Sequence, residues 1–271
     1  MKLNKLLLLL SLTLPISAFA AFENHPAGGR SSAICNASVT LTDLWSSFNN
    51  QAGLAYLTSP EAGISYESRF RLKEMSYKSF AFAYPLKSGT IALSSSQYGF
   101  NLWSESKVGL AYAKSFNRYF SGGIQLDYLY LNKEDPYGNK SILTFEVGIL
   151  SKISNRIAVG FHLFNPLNSS ISEYSDERLQ ACLRLGASYK VSESFSLMAE
   201  TEKQINDLPT FRCGAEYELN QFVCFRTGVN TSLSSFSFGT GITYAHFHFD
   251  LSSSYHQVLG FSPQASVTYV F

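Results

Sequence analysis

The sequence predicts an all-β fold, a fourteen-stranded antiparallel transmembrane β-barrel with an N-terminal plug-like segment. Three observations predict it. Apolar and polar residues alternate almost without interruption from Glu61 to the end of the chain. Tight connections alternate with longer ones, such as 132–140 and 165–177. The last residue, Phe271, is an aromatic on the apolar face of its strand. Short turns on one side and longer loops on the other are the habit of outer-membrane barrels.

Composition agrees. The chain has 271 residues, of which 45% are hydrophobic, 15% aromatic and only 15% charged. That mixture excludes a disordered chain. With 21 Lys+Arg against 20 Asp+Glu there is no basic footprint for nucleic acid. After the first residues, no apolar run approaches the ~20 residues that a spanning helix needs.

Residues 1–20 read as a secretory signal peptide. Lys2 and Lys5 form the basic region, Leu6 to Leu14 the apolar region, and Ala18-Phe19-Ala20 the small-residue cleavage site. The chain is expected to leave the cytosol, to be cut after Ala20, and to reach the outer membrane of a bacterium.

Residues 21–60 show no strand alternation and are rich in small and polar residues, so they are expected to be the plug. Residues 61–271 form the barrel. Strands are expected near 61–68, 75–85, 89–98, 102–116, 119–132, 140–152, 156–165, 178–191, 194–204, 210–219, 221–230, 235–245, 247–256 and 264–271. In 119–131, for example, Phe120, Ile124, Leu126, Tyr128 and Tyr130 share one face, while Ser121, Gly123, Gln125 and Asp127 share the other. Apolar-out and polar-in is the barrel pattern. Gln264, Ser266, Tyr269 and Phe271 resemble the C-terminal insertion signal, with Tyr269 and Phe271 read by the barrel-assembly machinery.

Glycine recurs on the polar face at Gly109, Gly123, Gly148, Gly160, Gly186, Gly214 and Gly228, then at Gly239 and Gly241. Glycine in a strand often marks close approach of other backbone. A barrel this wide has room for a plug, so a ring of inward glycines is expected to make space for residues 21–60. The alternative is that glycine relieves curvature. Asp127, Glu146, His162, Arg184, Glu200, Arg212, Glu216, Arg226, His248 and Asp250 share this face. Their mixed signs suit a solvated lumen with ion pairs rather than a selective ion channel. Arg212 and Arg226 are expected to pair with Asp43 of the plug.

Other chemistry is poorly supplied. His246, His248 and Asp250 share one face, but no further metal ligand is marked, so no metal or cofactor is expected. Of four cysteines, Cys213 and Cys224 face opposite ways and cannot bridge; Cys35 with Cys182 or Cys224 stays open. There is no Gly-x-Ser-x-Gly elbow and no His-Glu-x-x-His. A barrel-embedded hydrolase is the distant alternative, and no catalytic residue is assigned.

Residues 28–55 read GGRSSAICNASVTLTDLWSSFNNQAGLA. This stretch resembles the N-terminal signature of the PorV/PorQ family of FadL-like outer-membrane barrels. Gly29-Arg30 opens the match, Asp43 and Trp45 sit midway, and Asn50, Ala52, Gly53 and Leu54 close it. Two positions depart: Cys35-Asn36 stands where Met-Gly or Gly-Gly is usual, and Gln51 replaces a proline. The resemblance implies a fourteen-stranded barrel with this segment within or under it. It also implies one of two roles: a partner or scaffold of type IX-like secretion in Bacteroidetes, or passage of small hydrophobic molecules as in FadL-like relatives. The short chain and small loops favour the secretion role here. Expected partners are the lipid bilayer, the barrel-assembly machinery and secretion components, around a monomeric barrel.

Overall fold

The computed structural model describes residues 25–133, 139–169, 178–205, 207–231 and 235–271. The signal peptide and the cleavage after Ala20 lie outside the described residues. The fourteen strands are β1 (Glu61–Ser68), β2 (Ser76–Leu86), β3 (Gly89–Phe100), β4 (Trp103–Asn117), β5 (Phe120–Lys133), β6 (Lys140–Lys152), β7 (Ile157–Phe164), β8 (Cys182–Lys190), β9 (Phe195–Gln204), β10 (Thr210–Glu218), β11 (Val223–Asn230), β12 (Ser235–Tyr244), β13 (Phe247–His256) and β14 (Gly260–Val270). Each pairs antiparallel with its sequence neighbours, and β1 pairs with β14 to close the barrel. Closure leaves no unpaired strand edge, which a lipid-embedded sheet requires.

Side chains sort by parity. Ile124, Leu126 and Tyr128 of β5 are exposed on the outside, while Ser121, Gln125 and Asp127 are buried within. The exposed large apolar residues therefore face lipid, not water. Phe271 continues the outer face of β14, and its N–H donates to the Pro60 carbonyl at 2.9 Å, which fastens the chain end to the start of β1.

Three expectations need correction. β14 starts at Gly260, not 264, and carries Pro263 inside it. Proline cannot donate a ladder bond, which makes a sequence reading stop the strand too early. β8 starts at Cys182, not 178, because Leu179 leaves the wall and turns inward, where its carbonyl accepts from Asn165 Nδ2 at 2.5 Å. The sorting of connections is also looser than expected. β3 and β4 are joined on the loop side by Asn101 and Leu102 alone.

Candidate functional site

The barrel interior is occupied. Residues 27–57 form two short helices, α1 (Gly29–Ala33) and α2 (Ser46–Asn49), and a 3-10 turn over Gln51–Tyr56. Too short to be stable alone, these elements are held by what surrounds them. Two kinds of surface do so.

The first is a stripe of small residues. Ala81 and Ala83 of β2, Ala92 of β3, and Ala111 and Ala113 of β4 form one buried cluster with Leu44, Trp45, Phe48 and Leu54. Large side chains of the segment fill the space that small wall residues leave. Trp45 also lies against Gly28, whose φ of 93° suits glycine.

The inward glycines make up the rest of that surface. A Cβ on Gly123 would lie 2.6 Å from the Gln51 backbone, and one on Gly214 would lie 2.6 Å from Ile34 Cβ. Gly148 is pressed by Asn50, Gly160 and Gly186 by Val39, and Gly228 by Ile34. Gly239 faces Ala33. Gly109 and Gly241 differ: they admit wall side chains, Gln125 and Asp127 at the first and Arg226 at the second. Gly53 does not have a positive φ. It is needed because the Leu41 carbonyl and Ser46 Oγ leave no room for a side chain.

The second surface is polar. Asn50 Nδ2 donates to the Val39 carbonyl at 2.6 Å and to the Ile149 carbonyl of β6 at 3.1 Å, while its Oδ1 accepts from Ala52 N–H. Gln51 Nε2 donates to Glu146 Oε2 at 2.6 Å. Ser121 Oγ donates to the Ala52 carbonyl at 3.0 Å. Arg184 donates to Glu200, to the carbonyls of Asn49 and Asn36, and to Ser38 Oγ. Glu200 in turn accepts from Val39 N–H at 2.8 Å. Across the lumen, Ser237 Oγ accepts from Cys35 N–H and donates to the Ala33 carbonyl, both at 2.8 Å. Gly29 N–H donates to Ser266 Oγ at 2.9 Å.

Asp43 pairs with a different arginine from those expected. Its Oδ2 accepts from Arg30 at 3.2 Å and its Oδ1 from Trp45 N–H at 3.0 Å. Arg30 then reaches Glu216 through two bonds of 2.9 and 2.7 Å. Glu216 also holds Arg226 at 2.6 Å, and Arg226 holds Asp250 at 2.5 Å. Arg212 is committed to Glu202 and Glu200. Burial pushes the Asp43 carboxyl above its usual range, with Arg30 opposing the shift. A solvated lumen was expected; instead Asp127, Glu146, His162, Arg184, Glu200 and Glu216 are all buried. Desolvated charges must be paired, and these are. In a second knot, Glu146 takes Lys107, His162 Nε2 at 2.7 Å and Gln51 together.

His246, His248 and Asp250 do not converge. His246 sits in the turn with Nδ1 at 2.9 Å from the Val270 carbonyl, His248 meets Thr243, and Asp250 is taken by Arg226. All four cysteines are free, so neither Cys35–Cys182 nor Cys35–Cys224 is formed. Cys35 packs its Sγ toward the Ser235 carbonyl at 3.9 Å, and Cys182 belongs to an apolar cluster elsewhere. Tyr269 and Phe271 touch edge to face at 4.8 Å on the outer surface.

Above the Glu146 knot, at the loop end, the inner wall turns apolar. Leu129 and Leu131 of β5, Ile142 of β6, Phe164 of β7, Cys182 of β8 and Leu179 form a buried cluster with Trp103 packed on it. Cavities remain at both ends. One of about 200 Å³ at the loop end is lined by His25, Cys35, Arg69, Glu202 and Arg212. Two at the turn end, of about 420 and 370 Å³, meet at Arg30 and Glu216. No lining residue of the loop-end cavity is shared with either turn-end cavity.

No protein-family model matches the chain, and no curated protein matches it. Solved structures do. The Ralstonia pickettii toluene transporter TbuX superposes with a TM-score of 0.70 at 11% identity, covering 93% of this chain and 100% of the other. A Pseudomonas aeruginosa FadL homologue gives 0.69 at 12% identity, covering 93% and 100%. The Pseudomonas putida toluene transporter TodX gives 0.68 at 11% identity, covering 92% and 98%. This chain has the fold of the FadL-type outer-membrane β-barrels. That likeness is one of fold, and it carries no support for the narrower PorV/PorQ resemblance of residues 28–55.

Proposed function

We propose that the chain is a FadL-type passive channel for small hydrophobic molecules across the outer membrane, closed at rest by its own N-terminal segment acting as a plug. One observation carries the reading. The inner wall at the loop end presents Leu129, Leu131, Ile142 and Phe164 instead of the polar lining of a water-filled pore. These side chains are closed against Leu179 and Trp103, so this apolar wall would part to admit an apolar solute, and above a filled lumen it offers water no straight path. The toluene transporters among the fold neighbours support the same class. Nothing in this mechanism requires catalysis or a cofactor.

The secretion-scaffold role, favoured on sequence, loses ground. It rested on short loops and on the 28–55 signature, and the fold neighbours favour passage instead. The two roles separate in a deletion strain. A channel predicts slower uptake of toluene, restored by the intact gene but not by a Leu129→Asp/Leu131→Asp variant, with an unchanged set of secreted proteins. Normal uptake with a depleted secretome would overturn the proposal.

A further inference from the structure

We propose that the turn-end mouth binds a small organic anion, in the pocket between residues 40–42 and the ends of β6 to β9. This inference does not depend on hydrophobic transport. The pocket is about 370 Å³. At ~30 Å³ per water-sized group, it holds a body of roughly a dozen heavy atoms.

Successive inward rungs build its wall. Lys152 stands opposite Ala158, Ala158 opposite Ser188, and Ser188 opposite Met198. One rung further out, Lys190 stands opposite Ser196. Arg156, in the turn between β6 and β7, lines the same pocket. The floor is Leu41 and Met198, both buried in one apolar cluster. The pocket therefore has a cationic rim over an apolar floor, with hydroxyls between.

Its positive charge is not neutralised from within. Glu216, the one acid in the lining, is fully engaged by Arg30 and Arg226. Among the described residues Lys190 has only Glu193 at 3.6 Å, an exposed pair that solvent and salt screen. Lys152 lies over the Tyr56 ring at 3.4 Å, and a ring face attracts a cation without cancelling its charge. Among the described residues, neither Lys152 nor Arg156 has a carboxylate at ion-pair distance. The adjoining cavity has the opposite character: its arginines, Arg30 and Arg226, are taken by Asp43, Glu216 and Asp250, and among the described residues Glu61 and Glu218 in its wall have no cation at ion-pair distance. The Arg30–Glu216 pair lines both cavities and partitions them. An anion is thus drawn to one side of the mouth and repelled from the other. Carboxylate and phosphate share the required chemistry.

The test uses the full chain in maltoside micelles and calorimetry with benzoate, phenyl phosphate, neutral benzyl alcohol and dihexanoyl phosphatidylglycerol. Benzoate or phenyl phosphate should bind at least about tenfold more tightly than benzyl alcohol, and the gap should narrow at high salt. A Lys152→Gln/Lys190→Gln variant that keeps heat-modifiable mobility should lose that preference. Glu193→Gln, which removes the rim acid, should strengthen it. If the phosphatidylglycerol alone shows the preference, the anion comes from a lipid headgroup; if the aromatic acids show it, the anion is a free solute. Equal binding of benzoate, phenyl phosphate, phosphatidylglycerol and benzyl alcohol would overturn the proposal. So would a preference that survives in the folded double variant.

Discussion

Gln51 Nε2 donates to Glu146 Oε2 at 2.6 Å, and this bond joins the N-terminal segment to a buried carboxylate of the wall. Glu146 also compensates Lys107 and meets His162, and all of its oxygens are buried. Removing it leaves the largely buried Lys107 ammonium with one remaining acid among the described residues, Asp127 at 3.7 Å. Glu146→Ala should cost about 3–5 kcal/mol, the scale of a broken buried pair. Gln51→Ala should cost about 1–3 kcal/mol, since it leaves one acceptor without its amide donor. Urea titration of heat-modifiable mobility ranks the two.

Gly148→Val should undock the segment without preventing barrel closure. The added side chain meets Asn50 from β6, and overpacking of this kind costs about 1–3 kcal/mol. Cys35 reports the outcome. Burial raises its thiol above the ordinary range, with the Ser237 bond opposing, so maleimide labelling of the docked protein is slow. Labelling should accelerate in Gly148→Val and stay slow in Gly109→Ala, where the crowding is with Gln125 and Asp127 instead.

Residue packing of this kind was only partly legible in the sequence. Alternation identified the strands and which residues face inward, because period two depends on the backbone alone. It could not say what lies on the other side of the inward face. Glu200 and Arg184 look the same in sequence whether they face water or Val39 N–H and the Asn49 carbonyl. Glycines on the polar face hinted at a close neighbour, but the alanine stripe from Ala81 to Ala113 does the same work and carries no turn signal. Arg30 was read as part of a motif, yet it is the residue that takes Asp43 and Glu216. Gln51, a departure from the family pattern, supplies a direct bond to the wall.

Acid should loosen the N-terminal end of the segment. Burial, then Arg69 and Arg212, hold the His25 imidazole well below its usual value, so it is neutral at pH 7. Its Nδ1 accepts from Arg69 Nη2 at 2.8 Å. A histidine with a lowered folded value contributes stability that is full above the unfolded value of ~6.5 and is lost as pH falls from there toward the folded value. Hydrogen exchange of residues 25–35 should therefore speed up between neutral pH and about pH 5 beyond the intrinsic change. His25→Gln should remove that part of the dependence.

Deletion of Phe271 should lower the amount of assembled barrel more than the amount of synthesised chain. The loss removes the edge contact with Tyr269 and the bond to the Pro60 carbonyl, which fix the end of β14 beside β1. Pulse-chase with heat-modifiability separates the two quantities.

Planar-bilayer conductance tests most directly whether residues 25–57 close the lumen. A barrel of fourteen strands is wide enough to leave a water path unless something fills it. The intact chain should show no steady open current. A chain lacking residues 22–50, inserted and heat-modifiable, should conduct steadily. Equal currents from the two proteins would contradict the account and leave the inward glycines with a role in curvature alone.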